Sequence, residues 1–374
     1  MKPELEQRCT DYIANRDAVG KAFRWDNSVL YNVCANIFCA CGQAADPERL
    51  KECRAVIKAQ TRPFSRFRSA KVRSILASLL ALAEKPEERM AQANDSFRLL
   101  KREFRKTEYL VLAAFLLTDL GDWTLTEETA ARGREIYRRM NREHRMLTNK
   151  TDSVFAALLA FSGKTDDELA AEIETIYRAL KGKFTAGGAQ AAAQVLCMTA
   201  GAPEEKTRRL IALFDALHEA GIAYGRSDEA APLAALSLAD APVSVLAEEI
   251  RDADAFLKTQ KGYGAKETNE ATRAVHAVMI VSDQYTGTRP VNITVMTNTL
   301  DLLFSKQKAS RVSLAVNALE ALLKVFAASR EKAGDGASGD KAGETEGSDG
   351  GQAGDGASGD PAGEAGSGDS GTGR

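Results

Sequence analysis

The sequence has few of the residues on which metal sites, disulfide frameworks and sugar-binding platforms depend. Its 374 residues include six cysteines, three histidines and two tryptophans. So few cysteines in so long a chain favour reduced thiols over a disulfide framework. The N-terminus lacks the apolar core of a signal peptide, and no uncharged apolar run reaches about 18 residues. We therefore expect a soluble, cytoplasmic protein that does not cross a membrane.

Local motifs for metal and nucleotide chemistry are also missing. Cys34, Cys39 and Cys41 lie within one apolar segment and Cys53 follows, without the closely spaced pairs on turns that bind zinc. The tripeptide Gly-Tyr-Gly at 262–264 lacks the third glycine of a dinucleotide-binding motif, and no P-loop ending is present. We predict no metal and no cofactor. Catalysis by residues from separate segments leaves no local motif, so it stays open.

Charge of one sign is concentrated near the C-terminus. The segment 331–374 has ten acidic and three basic residues. The rest of the chain is mildly basic, so the net charge of the full chain is only −2. The same segment holds fifteen of the 29 glycines, and the run A-G-D-G-A-S-G-D begins in it twice, at Ala333 and at Ala353. It has no aromatic or large aliphatic residue. Because nothing in it offsets the entropy of ordering, we predict a disordered acidic tail.

What the sequence does contain is an internal repeat of about forty residues. Helix starts recur at Pro3, Pro47, Pro86, Thr126, Asp166, Pro203 and Pro242, and all but the last have acids in the first turn. Proline suits the first helical position, and acids in the first turn complement the helix dipole. Apolar residues then follow at helical intervals with charges on the other face. This pattern predicts amphipathic helices that are half open to solvent.

A second, apolar helix is predicted after each amphipathic helix. Its alanine-rich copies begin near Ser28, Ser74, Leu110, Ser153, Ala191, Ala231 and Ala271. Helices that are apolar nearly all round must be covered by neighbours on several sides. The alternation predicts an all-α fold of tandem αα-hairpins, about seven of them over 1–285. Two closures fit equally well: an open α/α superhelix and a closed α/α toroid.

The segment 286–330 departs from this repeat. Gly287 to Pro290 interrupts the chain, and a heptad-like spacing follows at Val312, Val316, Leu319, Leu323 and Phe326. We interpret the segment as C-terminal helices that cap the array, with a homodimer through 310–328 as the alternative. The predicted organisation is therefore a repeat domain at 1–285, C-terminal helices at 286–330 and the tail at 331–374.

Candidate binding residues lie in the connectors that lead from an amphipathic helix to the next apolar helix. These connectors share one side of the predicted array, here called the connector edge, and aromatic, hydroxyl and basic residues recur in them. The segment 61–73, the basic connector, has five cations and no acid. An anionic ligand and simple capping of helix carbonyls both explain such a patch, and both stay open. The candidate ligand-binding residues are Arg62, Phe64, Arg66, Phe67, Arg68, Tyr109, His144, Asp152, Tyr224, Arg226, Tyr263, Lys266 and Glu267.

Several repeat segments resemble a catalogued bacterial family. They are Lys-Thr-Glu-Tyr-Leu-Val-Leu-Ala-Ala at 106–114, Asp-Ser-Val-Phe-Ala-Ala-Leu-Leu-Ala at 152–160, Gly-Ile-Ala-Tyr-Gly at 221–225 and Lys-Gly-Tyr-Gly at 261–264. Together they are similar to the family known as domain of unknown function 4003, over residues 5–285. The resemblance implies an all-helical bacterial protein, and it brings no activity, ligand or catalytic residue.

Two functional hypotheses follow from the sequence. The first is a non-catalytic binding or scaffold protein whose connector edge binds an unknown protein or a small anionic ligand. No strong signal indicates a nucleic acid, and none indicates a membrane. The alternative is an α/α-toroid enzyme, a hydrolase acting on a sugar or lipid, with carboxylates converging from several repeats. The two tryptophans favour the first, because sugar-cleaving sites usually need more aromatic platforms.

Overall fold

The structure, a computed structural model, describes residues 1–285 apart from 25, 27, 119–124, 144–151, 200, 228 and 265–266. All the described residues lie within one compact unit, Met1–Arg311. The predicted C-terminal helices at 286–330, the dimer segment at 310–328 and the tail at 331–374 fall outside the described residues. So do His144 and Lys266 of the candidate site.

Fourteen α-helices follow one another in the described part of the chain, and no strand occurs there, which confirms the all-α prediction. The amphipathic helices are α1 (Pro3–Ala22), α3 (Pro47–Ala59), α5 (Pro86–Glu103), α7 (Glu127–Glu143), α9 (Asp166–Leu180), α11 (Pro203–Glu219) and α13 (Val243–Lys258). The apolar helices are α2 (Val29–Ala40), α4 (Arg73–Ala81), α6 (Glu108–Leu117), α8 (Asp152–Leu159), α10 (Ala186–Leu196), α12 (Ala230–Ser237) and α14 (Glu270–Tyr285). Among these helices, none combines the length and the apolar character needed to span a bilayer.

The amphipathic helices begin where their capping residues place them. Proline occupies the first turn of α1, α3, α5 and α11, where its missing N–H costs no helical hydrogen bond. The Asp46 carboxylate accepts a hydrogen bond from the Glu48 N–H at the start of α3. At α9, Thr165 and Glu168 form a reciprocal capping box, in which the Thr165 N–H donates to Glu168 Oε2 at 2.7 Å. These local signals make the helix starts readable from sequence.

The apolar helices form the core. Every residue of α8 and α12 is buried, as is every residue from Arg273 to Ser282 in α14. Small residues let neighbouring segments approach closely. A Cβ atom at Gly188 in α10 would lie 2.5 Å from the Ser227 carbonyl oxygen. Glycine at this position therefore lets the first turn of α10 pack against the connector before α12.

Each helix packs mainly against its neighbours in the repeat order. Helix α1 contacts α2 and α3, α3 contacts α5, and the same relation continues to α13. The order does not stop there, because α13 packs against α1 and α14 packs against α2. Lys2 donates to Glu249 Oε1 in α13 at 2.7 Å, and Arg16 in α1 donates to the Lys261 carbonyl oxygen at 2.9 Å. The first and last hairpins are therefore direct neighbours.

Arginines on two amphipathic helices hold the segments that follow apolar helices. Arg132 in α7 and Arg209 in α11 each donate to carbonyl oxygens 28, 30 and 32 residues later. The acceptors are Ala160, Ser162 and Lys164 for the first and Ser237, Ala239 and Ala241 for the second. The last carbonyls of a helix have no intrahelical partner, so a guanidinium fork satisfies several of them at once. Two hairpins thus share one arrangement at the same relative position.

We expect Arg209→Ala to lower the free energy of unfolding by about 2–4 kcal/mol, because three carbonyl oxygens lose a charged donor. Urea denaturation followed by circular dichroism measures the change. Arg208→Ala is the matched control, since the adjacent Arg208 is exposed and, among the described residues, its partner is Glu205 in the same helix. Equal losses in the two variants would show that the carbonyl contacts contribute nothing of their own.

Candidate functional site

Neighbouring connectors contact one another along the connector edge. Arg73, at the start of α4, forms an ion pair with the buried Asp26 carboxylate in the connector before α2. Farther along the edge, the Thr185 N–H donates to the Arg226 carbonyl oxygen at 2.8 Å. The hydroxyl groups of Thr185 and Ser227 lie 3.2 Å apart. At these places the connectors form a shared surface instead of separate loops.

Three of the five cations in the basic connector have partners in the protein. Arg66 Nη1 lies 3.1 Å from Glu108 Oε1 at the start of α6. Arg68 donates from Nε to the Thr61 hydroxyl at 3.0 Å and also to two carbonyl oxygens at the C-terminal end of α3. The third, Arg73, pairs with the preceding connector as described above. Arg68 therefore caps a helix, while Arg66 and Arg73 join the basic connector to its neighbours.

Arg62, Phe64 and Lys71 are the exposed remainder of the basic connector. The Phe64 side chain is fully exposed, with a relative accessibility of 101%. Within the described ranges the Arg62 guanidinium forms no hydrogen bond or ion pair. Lys71 affects the ionisation of Glu108. Burial raises the pKa of the Glu108 carboxyl, but the Glu108 backbone N–H and the charges of Arg66 and Lys71 lower that pKa by more. These three side chains are available to a partner.

Four aromatic candidates of the connector edge are buried in the core: Phe67, Tyr109, Tyr224 and Tyr263. Phe67 packs edge-to-face on Phe97, with ring centroids 5.3 Å apart. The Tyr224 hydroxyl donates to the Glu229 carbonyl oxygen at 2.9 Å. Burial raises the pKa of Tyr224 and of Tyr263, so both phenols are neutral. These side chains anchor the connectors from the core side.

The remaining described candidates lie in separate repeats. Asp152 is buried at the start of α8 and accepts a hydrogen bond from the Gln194 amide at 2.8 Å. Arg226 donates to two carbonyl oxygens of the connector before α10, at 2.5 and 3.1 Å. Glu267 is exposed and accepts from the Gly264 N–H at 3.3 Å. None of these contacts joins two candidate residues, whereas the basic connector places five of the candidates within one short segment of the described chain.

A polar cluster that sequence reasoning missed lies between the first and last hairpins. The Asn32 Oδ1 in α2 accepts hydrogen bonds from the hydroxyls of Tyr12 and Tyr263, both at 3.2 Å. The Tyr263 hydroxyl also lies 2.9 Å from Nδ1 of the buried His276. The signal for this cluster is an asparagine on an otherwise apolar helix, since a polar side chain there needs a partner from another segment.

A second polar contact lies farther along the same pair of helices. Asn36 in α2 donates from Nδ2 to Asp283 Oδ1 in α14 at 3.3 Å. Burial raises the pKa of the Asp283 carboxyl well above its ordinary value, although the charge of Arg8 acts in the opposite direction. Asn32 and Asn36 are separated by one helical turn, so they lie on the same side of α2. This side of α2 is polar where the rest of the helix is apolar.

The helical chain with these repeat segments was compared with known proteins. The family model described as "Protein of unknown function (DUF4003)" matches residues 15–309. The chain belongs to this family. The resemblance noted in the repeat segments is thereby confirmed. No curated protein and no solved structure matches the chain.

Three of the cysteines near the N-terminal end of this DUF4003 protein have weakly acidic thiols. Burial raises the pKa of Cys34 and of Cys39 to about 12, and that of Cys53 to about 11. Thiols that stay protonated are poor nucleophiles and poor metal ligands. In the described ranges, no group of three or more histidine, cysteine or acidic side chains has a geometry suited to a metal ion.

Several buried carboxylates of the DUF4003 chain have a base or an amide as partner. Glu172 accepts hydrogen bonds from Lys164 and Lys206, and Glu249 accepts one from Lys2. Asp26, Asp152 and Asp283 have the partners described above. The enzyme hypothesis requires two acids that face one substrate. None of these named contacts brings two carboxylates together.

Proposed function

We propose that this DUF4003 protein is a non-catalytic binding protein, built as a closed ring of seven αα-hairpins. It binds an acidic protein partner through Arg62, Phe64 and Lys71, here called the exposed tip of the basic connector. The observation that carries the proposal is the full exposure of Phe64 in a connector whose Arg62 and Lys71 are also exposed. A ring of helices supplies the rigid frame, and the connector supplies the contact.

The packing order supports the ring. An open superhelix leaves its terminal hairpins apart, whereas α13 and α14 of this chain pack against α1 and α2. The repeated arginine contacts of α7 and α11 support tandem hairpins of one design. A frame in which every hairpin has two neighbours holds its connectors at fixed positions, which favours recognition by a preorganised surface.

Preorganisation of the basic connector supports its role as the contact. Phe67 anchors the segment in the core, Arg68 caps α3, and Arg66 pairs with Glu108. Phe64 lies between the end of α3 and these anchors and is presented to solvent, where an aromatic side chain gains nothing from the fold itself. Burial of a phenylalanine side chain in a partner contributes about 2 kcal/mol. Aromatic and arginine residues are also the side chains most enriched at interface hot spots.

Charge indicates an acidic partner. No acidic residue occurs between Arg62 and Arg73, and the carboxylates of Asp26 and Glu108 pair with Arg73 and Arg66 of this connector. Arg62 and Lys71 therefore retain their charge for a partner at the surface. Such exposed charges increase the rate of association with an acidic surface and select against basic ones. The aromatic tip then requires that the acidic partner also offer an apolar pocket.

Binding of the full chain to immobilised poly-glutamate tests the charge requirement. We expect Arg62→Ala/Lys71→Ala to weaken binding by about tenfold, because two exposed ion pairs are lost. The control is Lys51→Ala/Arg208→Ala, which removes the same charge from helix surfaces where both side chains already pair with a neighbouring glutamate. Equal weakening in both double variants would contradict the proposal, because only net charge would then matter.

A copolymer of glutamate and tyrosine tests the aromatic requirement. We expect Phe64→Ala to weaken binding to the copolymer and to leave binding to poly-glutamate unchanged, since only the copolymer offers apolar groups. Loss of binding to both polymers would indicate that the variant disturbs the connector as a whole. No loss with either would remove Phe64 from the proposed surface.

A further inference from the structure

The contact between α2 and α14 places an acid opposite an amide. We infer that Asp283 is a neutral carboxylic acid in the folded protein, that it forms a pair of hydrogen bonds with the Asn36 amide, and that this pair is a proton-sensitive latch between the first and last hairpins. The inference concerns the closure of the helical array and does not depend on the proposed binding surface.

The structure shows one of the two hydrogen bonds and leaves one oxygen of each side chain without a partner. Asn36 Nδ2 donates to Asp283 Oδ1 at 3.3 Å. The opposite atoms, Asn36 Oδ1 and Asp283 Oδ2, are shielded from solvent and have no hydrogen-bond partner. Both are acceptors when the carboxyl group is ionised, so an ionised Asp283 leaves two shielded oxygens without a donor.

Protonation of Asp283 resolves this mismatch. A proton on Oδ2 makes that atom a donor, and the unpaired amide oxygen of Asn36, whose Nδ2 already bonds the same carboxyl group, is the acceptor that we assign to it. The acid and the amide then exchange two hydrogen bonds, and all four polar atoms are used. When the carboxyl group ionises, the proton leaves Oδ2 for solvent and the second hydrogen bond is lost.

The charges around the contact come from α1 and α13, two of the four helices packed against α14, because α2 contains no charged residue. Helix α1 contributes Arg8, which favours the ionised form, and Asp11, which acts near the Cys39 thiol of α2. Helix α13 contributes Glu249, whose carboxylate is already bound by Lys2 and by the Tyr285 hydroxyl. Helix α12 contains no charged residue. Burial raises the pKa of Asp283 by more than the charge of Arg8 and the hydrogen bond from Asn36 lower it.

The direction of the pH dependence follows from this balance. Because the pKa of Asp283 in the folded protein lies above its ordinary value of about 3.8, the folded state binds this proton more tightly than the unfolded state does. The stability of the contact is complete below the ordinary pKa. It decreases as the pH rises towards the raised pKa, and above that value the ionised carboxylate remains unsatisfied. Rising pH therefore weakens the contact between the first and last hairpins.

Infrared spectroscopy of the full chain tests the protonation state directly. At pH 6, where surface carboxyls are ionised, we expect wild type to show a protonated-carboxyl band that Asp283→Asn lacks. Asp240→Asn is the matched control, because Asp240 is exposed in the connector after α12. A wild-type spectrum without this band at pH 6 would overturn the inference, even if the Asp283 variant fails to fold.

Hydrogen exchange tests the latch itself. After correction for the intrinsic effect of pH, we expect amides of α1 and α14 to exchange about tenfold faster at pH 9 than at pH 6 in wild type. Amides of α9 and α10 serve as an internal reference and should not change. Asp283→Asn keeps a neutral pair at both pH values and should show no such increase. An equal increase in wild type and Asp283→Asn would assign the opening to another group.

Discussion

Glu172→Gln is expected to lower the free energy of unfolding by about 3 kcal/mol. Glu172 in α9 accepts hydrogen bonds from two ammonium groups, Lys164 at 2.5 Å and Lys206 at 2.6 Å. Lys206 is buried, so its charge cannot be transferred to water while the fold is intact. Glutamine preserves the shape of the side chain and removes the charge. The decrease in the free energy of unfolding therefore measures the cost of leaving two ammonium groups with only neutral hydrogen-bond acceptors.

The same two lysines explain why this carboxylate is present. Lys206 donates to the Leu196 and Thr199 carbonyl oxygens at 2.8 and 3.1 Å, and Lys164 donates to the Thr199 carbonyl at 3.2 Å. These acceptors lie at the end of α10, at the place where α8 and α12 receive an arginine fork. Two lysines and a glutamate thus perform in one hairpin the carbonyl binding that a single arginine performs in two others.

Urea denaturation of Glu172→Gln and a matched control measures this contribution. The control is Glu205→Gln in α11, because Glu205 is exposed and pairs with Arg208 one turn away. The double variant Glu172→Gln/Lys206→Met should recover part of the loss, since it removes one of the stranded charges. No difference between the two single variants would mean that water reaches the lysines and that the cluster is not buried in solution.

The helix starts could be predicted because their signals are local. Pro47, Pro86 and Pro203 begin helices at the predicted residues, and Asp166 begins one behind the predicted Thr165 cap. One apolar helix begins earlier than its pattern indicated, at Ala186 instead of near Ala191. Gly187 and Gly188 hid this first turn, because glycine weakens helix propensity in sequence while close packing at Gly188 requires it in the fold.

The candidate site was harder to predict from sequence, because the pairing and burial of each side chain depend on residues from other hairpins. Sequence shows that Arg62, Arg66 and Arg73 are cations in one segment, but not that two of them face Glu108 and Asp26. Connectors have no period, so burial cannot be read from spacing there as it can along a helix. The ligand-binding role of the connector edge therefore stays a prediction, which the structure narrows to the exposed tip of the basic connector.

The contact between Asn36 and Asp283 was unreadable for a related reason. These residues are 247 positions apart, and they meet only because the last hairpin packs against the first. Both closures that the repeat allowed place Asn36 on an apolar helix, but only contact between α2 and α14 gives it an acid as partner. Closure is a property of the small rotation between successive hairpins, which the repeat pattern does not encode.

Phe67→Ala is expected to lower the free energy of unfolding by about 3–5 kcal/mol, whereas Phe64→Ala should leave it unchanged. Phe67 is buried, with its ring 5.3 Å from that of Phe97 and 6.5 Å from that of Phe115 in α6. Its truncation loses apolar burial and opens a cavity between α5, α6 and the basic connector. Phe64, three residues away in the same segment, buries nothing in the fold.

Binding should rank the two variants in the opposite way. At a temperature where both are folded, Phe64→Ala should lose affinity for the glutamate–tyrosine copolymer while keeping wild-type stability. Phe67→Ala should lower the free energy of unfolding. It should weaken binding only to the extent that Phe67, as an anchor, holds the exposed tip in position. Urea denaturation and copolymer binding measured on the same preparations separate the two effects. If Phe64→Ala destabilised the fold as much as Phe67→Ala, Phe64 would belong to the core in solution, and the basic connector would have no aromatic side chain to offer a partner.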